Sequence, residues 1–482
     1  MKQTVAFSLL ACVLFAACAS TEQSVPPPPP TPKAAHTAEL SKDPNVRVEE
    51  GALKLELSVH EAVEEGLVYN RTVGTAREVS AIAAAQAMQA RAAMIPQIAA
   101  IGRHEGQDTA PSAAIGPIGS VIVGPKNVST IEIAARWNVY AFGRYLNAYR
   151  AASLLQRQSE ADKDATESNV AALVTAAVFD LLETIQQIEV ARSNENALAQ
   201  QVEDARAQRD AGRVTDVAVL EAEVEHDRAR RDRERLESLV PIRRIVINVL
   251  LGRPTDTPTE IIDDPLDSEP DFDLTLLEEE ALRNRPEIRS AQLGREAARR
   301  GVQSVIGSEI GELTASVGWH SDDNSFSSPN DFGFFALEFA VPIFRAGARK
   351  ARIREARRQV GIAALVFADT VAQVRRDVAE AHRQVQQTYR DIAVFKRNVG
   401  RQTESLRIQR EKFNAGRATS REMLDSNTLL TESKFEYVRS LYDYNKALQE
   451  LHRASGLDPR LPPRTTNKTP LSAGGASAKA VP

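Results

Sequence analysis

Glu422 and Asp425 stand three apart, a spacing that puts two carboxylates on one face of a helix. Such a pair could do acid–base work, hold a cation, or simply favour a helix start through the dipole. Nothing near them supplies a catalytic context, since the chain has no nucleophile motif and no glycine-rich phosphate loop. The histidines, among them His60, His104, His226, His320, His382 and His452, are scattered, and no pair has metal-ligand spacing on one helix. Four methionines give no copper-handling face. No enzyme activity, cofactor or metal is expected. A net charge of −5 with no basic block argues against nucleic acid as a partner. Both cysteines, Cys12 and Cys18, lie in the first 18 residues, so removal of a leader leaves no thiol chemistry.

The elements that must position these residues are written twice. A shift of 204 residues carries Gly143 onto Gly347, Ala211-Gly212-Arg213 onto Ala415-Gly416-Arg417, and Leu251-Gly252 onto Ser455-Gly456. Earlier the shift is 215, from Leu67 to Leu282, so copy one is 11 residues longer somewhere between Asn70 and Gly143. The period is far too long for a solenoid and indicates two structural halves of one body.

Within each half the hydrophobic period changes along the chain. Helical periodicity from about Leu57 stops at Pro96. From Val128 to Val139 the odd residues Ile131, Ile133, Ala135, Trp137 and Val139 alternate with a mostly polar set that includes Glu132 and Arg136, which reads as a two-faced strand. Its partner should begin near Ile98, with a Gly/Pro/Ser-rich loop from Gly106 to Asn127 between them. In copy two, Leu313, Ala315, Val317 and Trp319 alternate with polar residues, and Phe335, Leu337, Phe339, Val341 and Ile343 alternate with a set that includes Glu338. The loop Ser321 to Asp331 is shorter, which accounts for the length difference.

No proline or glycine occurs between Arg144 and Asp210, which predicts about 100 Å of helix at 1.5 Å per residue. Ala171, Val174, Val178, Leu181, Ile185 and Ile188 step alternately by three and four, as do Val371, Val374, Val378, Ala381, Val385, Thr388, Ile392 and Phe395. These are heptad seams. The Ala-Gly-Arg turns reverse the chain, and antiparallel helices return from about Thr215 to Leu251, with a kink expected at Pro241, and from Thr419 to Ser455. Four strands cannot close a membrane barrel, and open sheet edges are not tolerated in lipid, so the strands must be shared between chains. Three chains would supply 12. The odd residues then face lipid, and Glu132, Arg136 and Glu338 line the lumen.

The N-terminus reads as a secretory leader, with Met1-Lys2 followed by an apolar run from Val5 to Ala17. Leu14 to Cys18 resembles a bacterial lipobox, which implies acylation of Cys18, and Ala19 after it resembles outer-membrane sorting. Pro26 to Pro30 form a stiff polyproline spacer. The expected divisions are residues 1–17 leader, 18–52 lipidated linker, 53–252 first repeat, 253–273 connector, 274–457 second repeat and 458–482 disordered tail.

From residue 53 to about 457 the chain resembles the TolC-type outer-membrane efflux protein family. The likeness is carried by the repeat openings Leu57–Asn70 and Leu274–Pro286, the strand-to-helix junctions Val139–Gly143 and Val341–Gly347, and the turns Gly212–Glu221 and Gly416–Asp425. Two positions depart: Arg71 follows Asn70 where proline is usual, and Gly311 stands where copy one has Pro96. The resemblance implies a mainly α fold with a β-barrel contribution. Internally duplicated helix–β-hairpin–long helix–helix units would assemble as a homotrimer, a 12-stranded barrel in outer-membrane lipid above a periplasmic α-helical coiled-coil barrel. It further implies that Gly212, Arg213, Gly416 and Arg417 are tips that contact a periplasmic adaptor, the membrane fusion protein. Glu422, Asp425 and Glu221 would ring the periplasmic aperture. The function implied is the exit duct of a tripartite system fed by an inner-membrane pump. A type I secretion conduit and a lipid-anchored scaffold without a pore are the alternatives.

Overall fold

The computed structural model describes residues 55–458, apart from 115, 117, 118, 263, 264, 325 and 327, together with 465 and 466. Cys18 and the proline run lie outside the described residues, as does all of the expected tail but 458, 465 and 466. Copy one runs β1 (Leu55–Leu57), α1 (Val59–Tyr69), α2 (Arg71–Ala92), β2 (Gln97–Gly106), β3 (Ser112–Ala114), β4 (Ser120–Ile122), β5 (Asn127–Tyr140), α3 (Arg144–Asp210) and α4 (Asp216–Leu250). Copy two follows as β6 (Thr259–Ile261), α5 (Leu274–Asn284), α6 (Pro286–Ser308), β7 (Glu312–Asp322), β8 (Asp331–Ala340), α7 (Ala348–Asn414) and α8 (Ser420–Ala454). The long helices α3 and α7 are both 67 residues and the returning helices α4 and α8 both 35, so the 204-residue shift holds through each pair.

The helix starts are set by side-chain caps. Ser58 and Glu61 form a reciprocal capping box on α1, and Asn70 caps α2 through its side chain to the Thr72 amide, 2.8 Å. Asp273 does the same for α5, and Pro286 opens α6 at a position where a missing amide costs nothing. The helix α4 runs unbroken through Pro241.

At the strand-to-helix junctions the backbone turns sharply. Gly143 and Gly347 are left-handed, with φ 79° and 86°, and the residue before each is left-handed too, Phe142 at 48° and Ala346 at 44°. A side chain in that region costs about 1–2 kcal/mol. Packing holds the turn of copy one in place. A Cβ on Gly307, at the end of α6, would sit 2.6 Å from the Phe142 carbonyl oxygen. Glu309, only 2 % exposed, accepts hydrogen bonds from Arg345 and Arg352 at 3.0 Å each, pinning the turn of copy two.

Two buried clusters lie at mid-height, one per copy. Ala62, Val63 and Leu67 of α1 pack on Val170, Val174 and Val178 of α3, with Ile247 and Leu251 closing the cluster. Leu277 and Ala281 of α5 pack on Val374, Val378, Ala381 and Val385 of α7, with Tyr444, Leu448 and Leu451 of α8. The seam residues named from the heptads are buried or half-buried here. Between the copies, β1 and β6 pair in parallel, Leu55 with Thr259, so the connector is part of the fold. Asp271 also forms a bridge with Thr466, which gives part of the expected tail a place on the connector.

Candidate functional site

Four strands form one sheet in the order β2-β5-β7-β8, antiparallel throughout. The register sorts the side chains into two faces. Ile133 pairs with Trp319, Ala135 with Val317, Trp137 with Ala315, then Val317 with Phe335 and Ala315 with Leu337. Cross-strand partners share a face, so the odd residues of β5, β7 and β8, with the even residues Ile98 and Ala100 of β2, make one continuous apolar surface. The opposite face carries Glu132 beside His320, Arg136 beside Ser316, and Glu338 beside Thr314. The three candidate lumen residues thus lie on one face of one sheet. Phe332 and Phe334 share that face, and Phe332 stacks on His320 at 4.9 Å between ring centroids.

Two strand expectations are corrected. The register slips between Asn138 and Tyr140, so Tyr140 rather than Val139 takes the place opposite Leu313. An extra residue in one strand is a bulge, and it re-aims the chain toward the junction. Strand β8 ends at Ala340, because its partner β7 begins at Glu312. Val341 and Ile343 therefore fall in the turn and not on the apolar alternation of the strand. The copy-one loop, residues 107–126, holds a small ribbon of β3 and β4 that alternation did not reveal.

Each strand continues into a helix, and the helices keep the strand order. Upper neighbours are α2 with α3, α3 with α6, and α6 with α7. Lower down α4 packs on α3, α3 on α8, and α8 on α7. The wall has free edges on both sides. Strands β2 and β8 have no outer partner among the described residues. Helix α7 leaves Ile362, Leu365 and Val366 exposed, and α4 leaves Val217, Leu220, Val224 and Val246 exposed.

The tips are alike in both copies. Gly212 and Gly416 have φ 70° and 72°. The Arg213 amide donates to the Gln208 carbonyl at 2.9 Å, and the Arg417 amide to that of Lys412 at 2.8 Å. These are Schellman turns, where a left-handed residue is needed and glycine fits. Thr419 and Glu422 form a capping box on α8, with the Glu422 carboxylate accepting from the Thr419 amide at 2.9 Å. Asp425, one turn on, is exposed, and Glu221 on α4 is half-buried. Among the described residues, no group of three histidine, cysteine or acidic side chains is placed to hold a metal ion.

The outer membrane efflux protein model matches residues 63–253 and 277–457, one segment per copy. Comparison with curated protein sequences finds no match. Among solved structures, the channel protein CusC is similar at 18 % identity and a TM-score of 0.74, covering 87 % of this chain and 96 % of that one. The Campylobacter jejuni CmeC outer membrane channel has a TM-score of 0.74 at 14 % identity, covering 83 % and 85 %. The open state of the Neisseria gonorrhoeae MtrE outer membrane channel has 0.67 at 20 %, covering 83 % and 89 %. With both segments of its model matched across the duplicated halves, the chain belongs to the outer membrane efflux protein family, an outer-membrane channel family and not an enzyme family.

Proposed function

We propose that three copies of this chain close into one duct, the exit channel of a tripartite efflux system. The observation that carries this is the sheet with one apolar face, one polar face and, among the described residues, two unpaired edges, running directly into a wall of helices. An open edge in lipid would leave backbone groups unpaired at several kcal/mol each. Joining β8 of one copy to β2 of the next removes both edges, and the exposed Ile362, Leu365 and Val366 of α7 come level with the exposed Val79 and Ile82 of α2 in the same operation. Strands of 10 to 14 residues suffice to cross a hydrocarbon core of about 30 Å when tilted. In this reading Glu132, Arg136 and Glu338 face the water-filled lumen. Gly212, Arg213, Gly416 and Arg417 form the end that meets a periplasmic adaptor, which links the duct to an inner-membrane pump. Cys18 is acylated and adds an anchor to a barrel that already holds the chain in the membrane.

The test is physical. Detergent-extracted protein should run as a heat-sensitive trimer and give discrete conductance steps in planar bilayers. A monomer without conductance would instead support the scaffold. Palmitate-analogue labelling should mark the wild type and not Cys18→Ser. The same geometry serves a type I secretion conduit, and the neighbouring pump gene separates the two.

A further inference from the structure

The chain is close to charge balance overall, and a net charge of −5 leads one to expect no basic block. One nevertheless lies just below the sheet. From Arg345 to Arg358 the sequence holds Arg345, Arg349, Lys350, Arg352, Arg354, Arg357 and Arg358 against a single acid, Glu355. Most of these cations occupy the first three turns of α7, where the helix dipole disfavours positive charge. The repeat does not impose them. At the 204-residue shift, Lys350 and Arg357 become Leu146 and Ser153, and only Arg354 keeps its charge, as Arg150. Arg345 and Arg352 are accounted for by Glu309. Arg150, Arg299, Arg300, Lys350, Arg354 and Arg357 are exposed, and among the described residues none has an ion-pair partner within 4 Å. Arg150, Arg299 and Arg300 line one open groove of about 560 Å³ between α3 and α6, with Glu296 the one acid in it.

Handedness decides which side of the wall these residues occupy. The Asp322 amide donates to the Asn330 carbonyl at 3.0 Å, and the Asp323 amide to Ser129 at 3.1 Å. Even residues of β7 therefore turn their backbone groups toward β8, and odd ones toward β5. For an L-residue on a rising strand, a side chain facing the viewer puts its own amide and carbonyl to the viewer's right. Seen from the polar face with the hairpin loops up, the order β2 to β8 thus runs left to right. It is clockwise when viewed from the loop end. Helix α7 descends from there, so its residues step clockwise by about 100° each. Phe367 lies under Arg295 of α6, and buried Ala356, three turns above it, falls on the same side of the helix, so the two mark the side of α7 facing α6. Arg357 and Lys350 lie about 90° and 110° clockwise of that side, which is outward, and Arg354 lies about 150° round, outward and toward the free edge of α7. The same construction puts the Arg150, Arg299 and Arg300 groove on the outside. These cations lie within about 15 Å below the strand ends, counting 1.5 Å per helical residue. Above them the apolar sheet face ends in Trp137 and Tyr140, both exposed, aromatic residues of the kind that sit at a headgroup boundary.

We propose that Arg150, Arg299, Arg300, Lys350, Arg354 and Arg357 form a basic collar that binds the phosphate groups of anionic phospholipids in the periplasmic leaflet of the outer membrane. The inference rests on the barrel reading above, since the collar is continuous with the lipid-facing band only if the odd face meets lipid. Clusters of lysine and arginine beside a spanning segment attract anionic headgroups over about a Debye length. The long side chains also reach up to the interface while their heads stay in water.

Native mass spectrometry of the delipidated full-length trimer, titrated with phosphatidylglycerol or phosphatidylethanolamine at fixed ionic strength, tests this. The wild type should prefer phosphatidylglycerol by roughly tenfold or more, given several cations per site. Combined Arg299→Gln, Arg300→Gln, Lys350→Gln, Arg354→Gln and Arg357→Gln should bring the two lipids near parity, while Glu296→Gln should strengthen the preference. Inorganic phosphate at the same ionic strength should not displace the lipid. Displacement by phosphate would reduce the collar to a free-anion patch and overturn the proposal. So would a wild type without preference, or a glutamine variant that keeps it. Bilayer conductance of the same samples separates the two levels. If neither protein inserts, the channel reading fails and the collar with it, whereas insertion without lipid preference removes the collar alone.

Discussion

Asn427 of α8 donates its side-chain amide to the Asn194 side-chain oxygen of α3 at 2.7 Å, joining the two copies low in the helical wall. Thr431 donates to the same oxygen at 2.9 Å. Asn427 is buried, so removing the acceptor strands its amide. Asn194→Ala should cost about 1–2 kcal/mol, as expected for an orphaned buried donor. Denaturant unfolding should also show non-additivity between Asn194→Ala and Asn427→Ala. Additive losses would mean that the pair is incidental to how the copies dock.

Arg253 and Glu65 make a bidentate pair, each under 9 % exposed, and Arg253 also donates to Thr259 at 3.1 Å. The pair ties the end of copy one back to α1. Either single alanine variant should lose about 3–5 kcal/mol, because the remaining charge stays buried alone. The double change Glu65→Leu with Arg253→Met should recover most of that loss in thermal melts. A double variant as weak as the singles would show that the connector needs the charges themselves.

In copy two Arg285 is the buried cation, 3.0 Å from both Asp377 and Glu287. Burial works against ionising these two acids, but the Arg285 hydrogen bonds outweigh it and hold both carboxyls below their ordinary values. A carboxyl depressed in the folded state contributes fully above its unfolded value of about 4 and loses that contribution as pH falls through the folded value. Wild-type melting temperature should therefore drop steeply below about pH 4. Arg285→Met should melt lower at neutral pH and show a shallower acid fall. An unchanged acid slope in Arg285→Met would move the acid sensitivity elsewhere.

Sheet register gives a sorting test. Cysteines at Leu337 and Phe339 should react with membrane-soluble reagents, and those at Ala336 and Glu338 with small water-soluble ones. Tyr140 should sort with the membrane-soluble set although it is even-numbered, because the bulge turns it opposite Leu313. A fully reversed pattern would mean a register slip of one residue, which flips every side chain.

What the sequence made legible was whatever long-range contact does not decide. The spans of α3 and α7 follow from an absence of proline and from the glycine turns at either end, and their caps fall at the expected residues. Strands β7 and β8 showed themselves by alternation. Strand β2 did not, because Ala99, Ala100 and Gly102 blur both of its faces. The end of β8 is set by where its partner starts, which no local pattern records. The three-residue pair β1 and β6 is too short to carry a period. The burial of Glu309 between two arginines is likewise a tertiary fact. At the tips the turn chemistry was readable, but which acid serves the helix and which is free was not.

That division separates Glu422 from Asp425. Glu422 is held by the Thr419 amide as one half of a capping box, so its carboxylate has a local task at the start of α8. Asp425 is exposed and makes no such bond among the described residues. Loss of the capping contact in Glu422→Ala should destabilise the tip by about 0.5–2 kcal/mol, which faster proteolysis near Arg417 would report. Glu422→Gln keeps an acceptor and should restore the tip. If trimer symmetry makes Asp425 a ring of three carboxylates, the open water-filled mouth is a site for multivalent cations. Trivalent cation added on the periplasmic side should then block conductance in the wild type and in Glu422→Gln. Asp425→Ala should relieve the block without altering trimer yield, and Asp425→Arg should shift selectivity towards anions. Block that survives Asp425→Ala unchanged would place this acid away from the aperture and leave Glu422, or Glu221 on α4, to account for it.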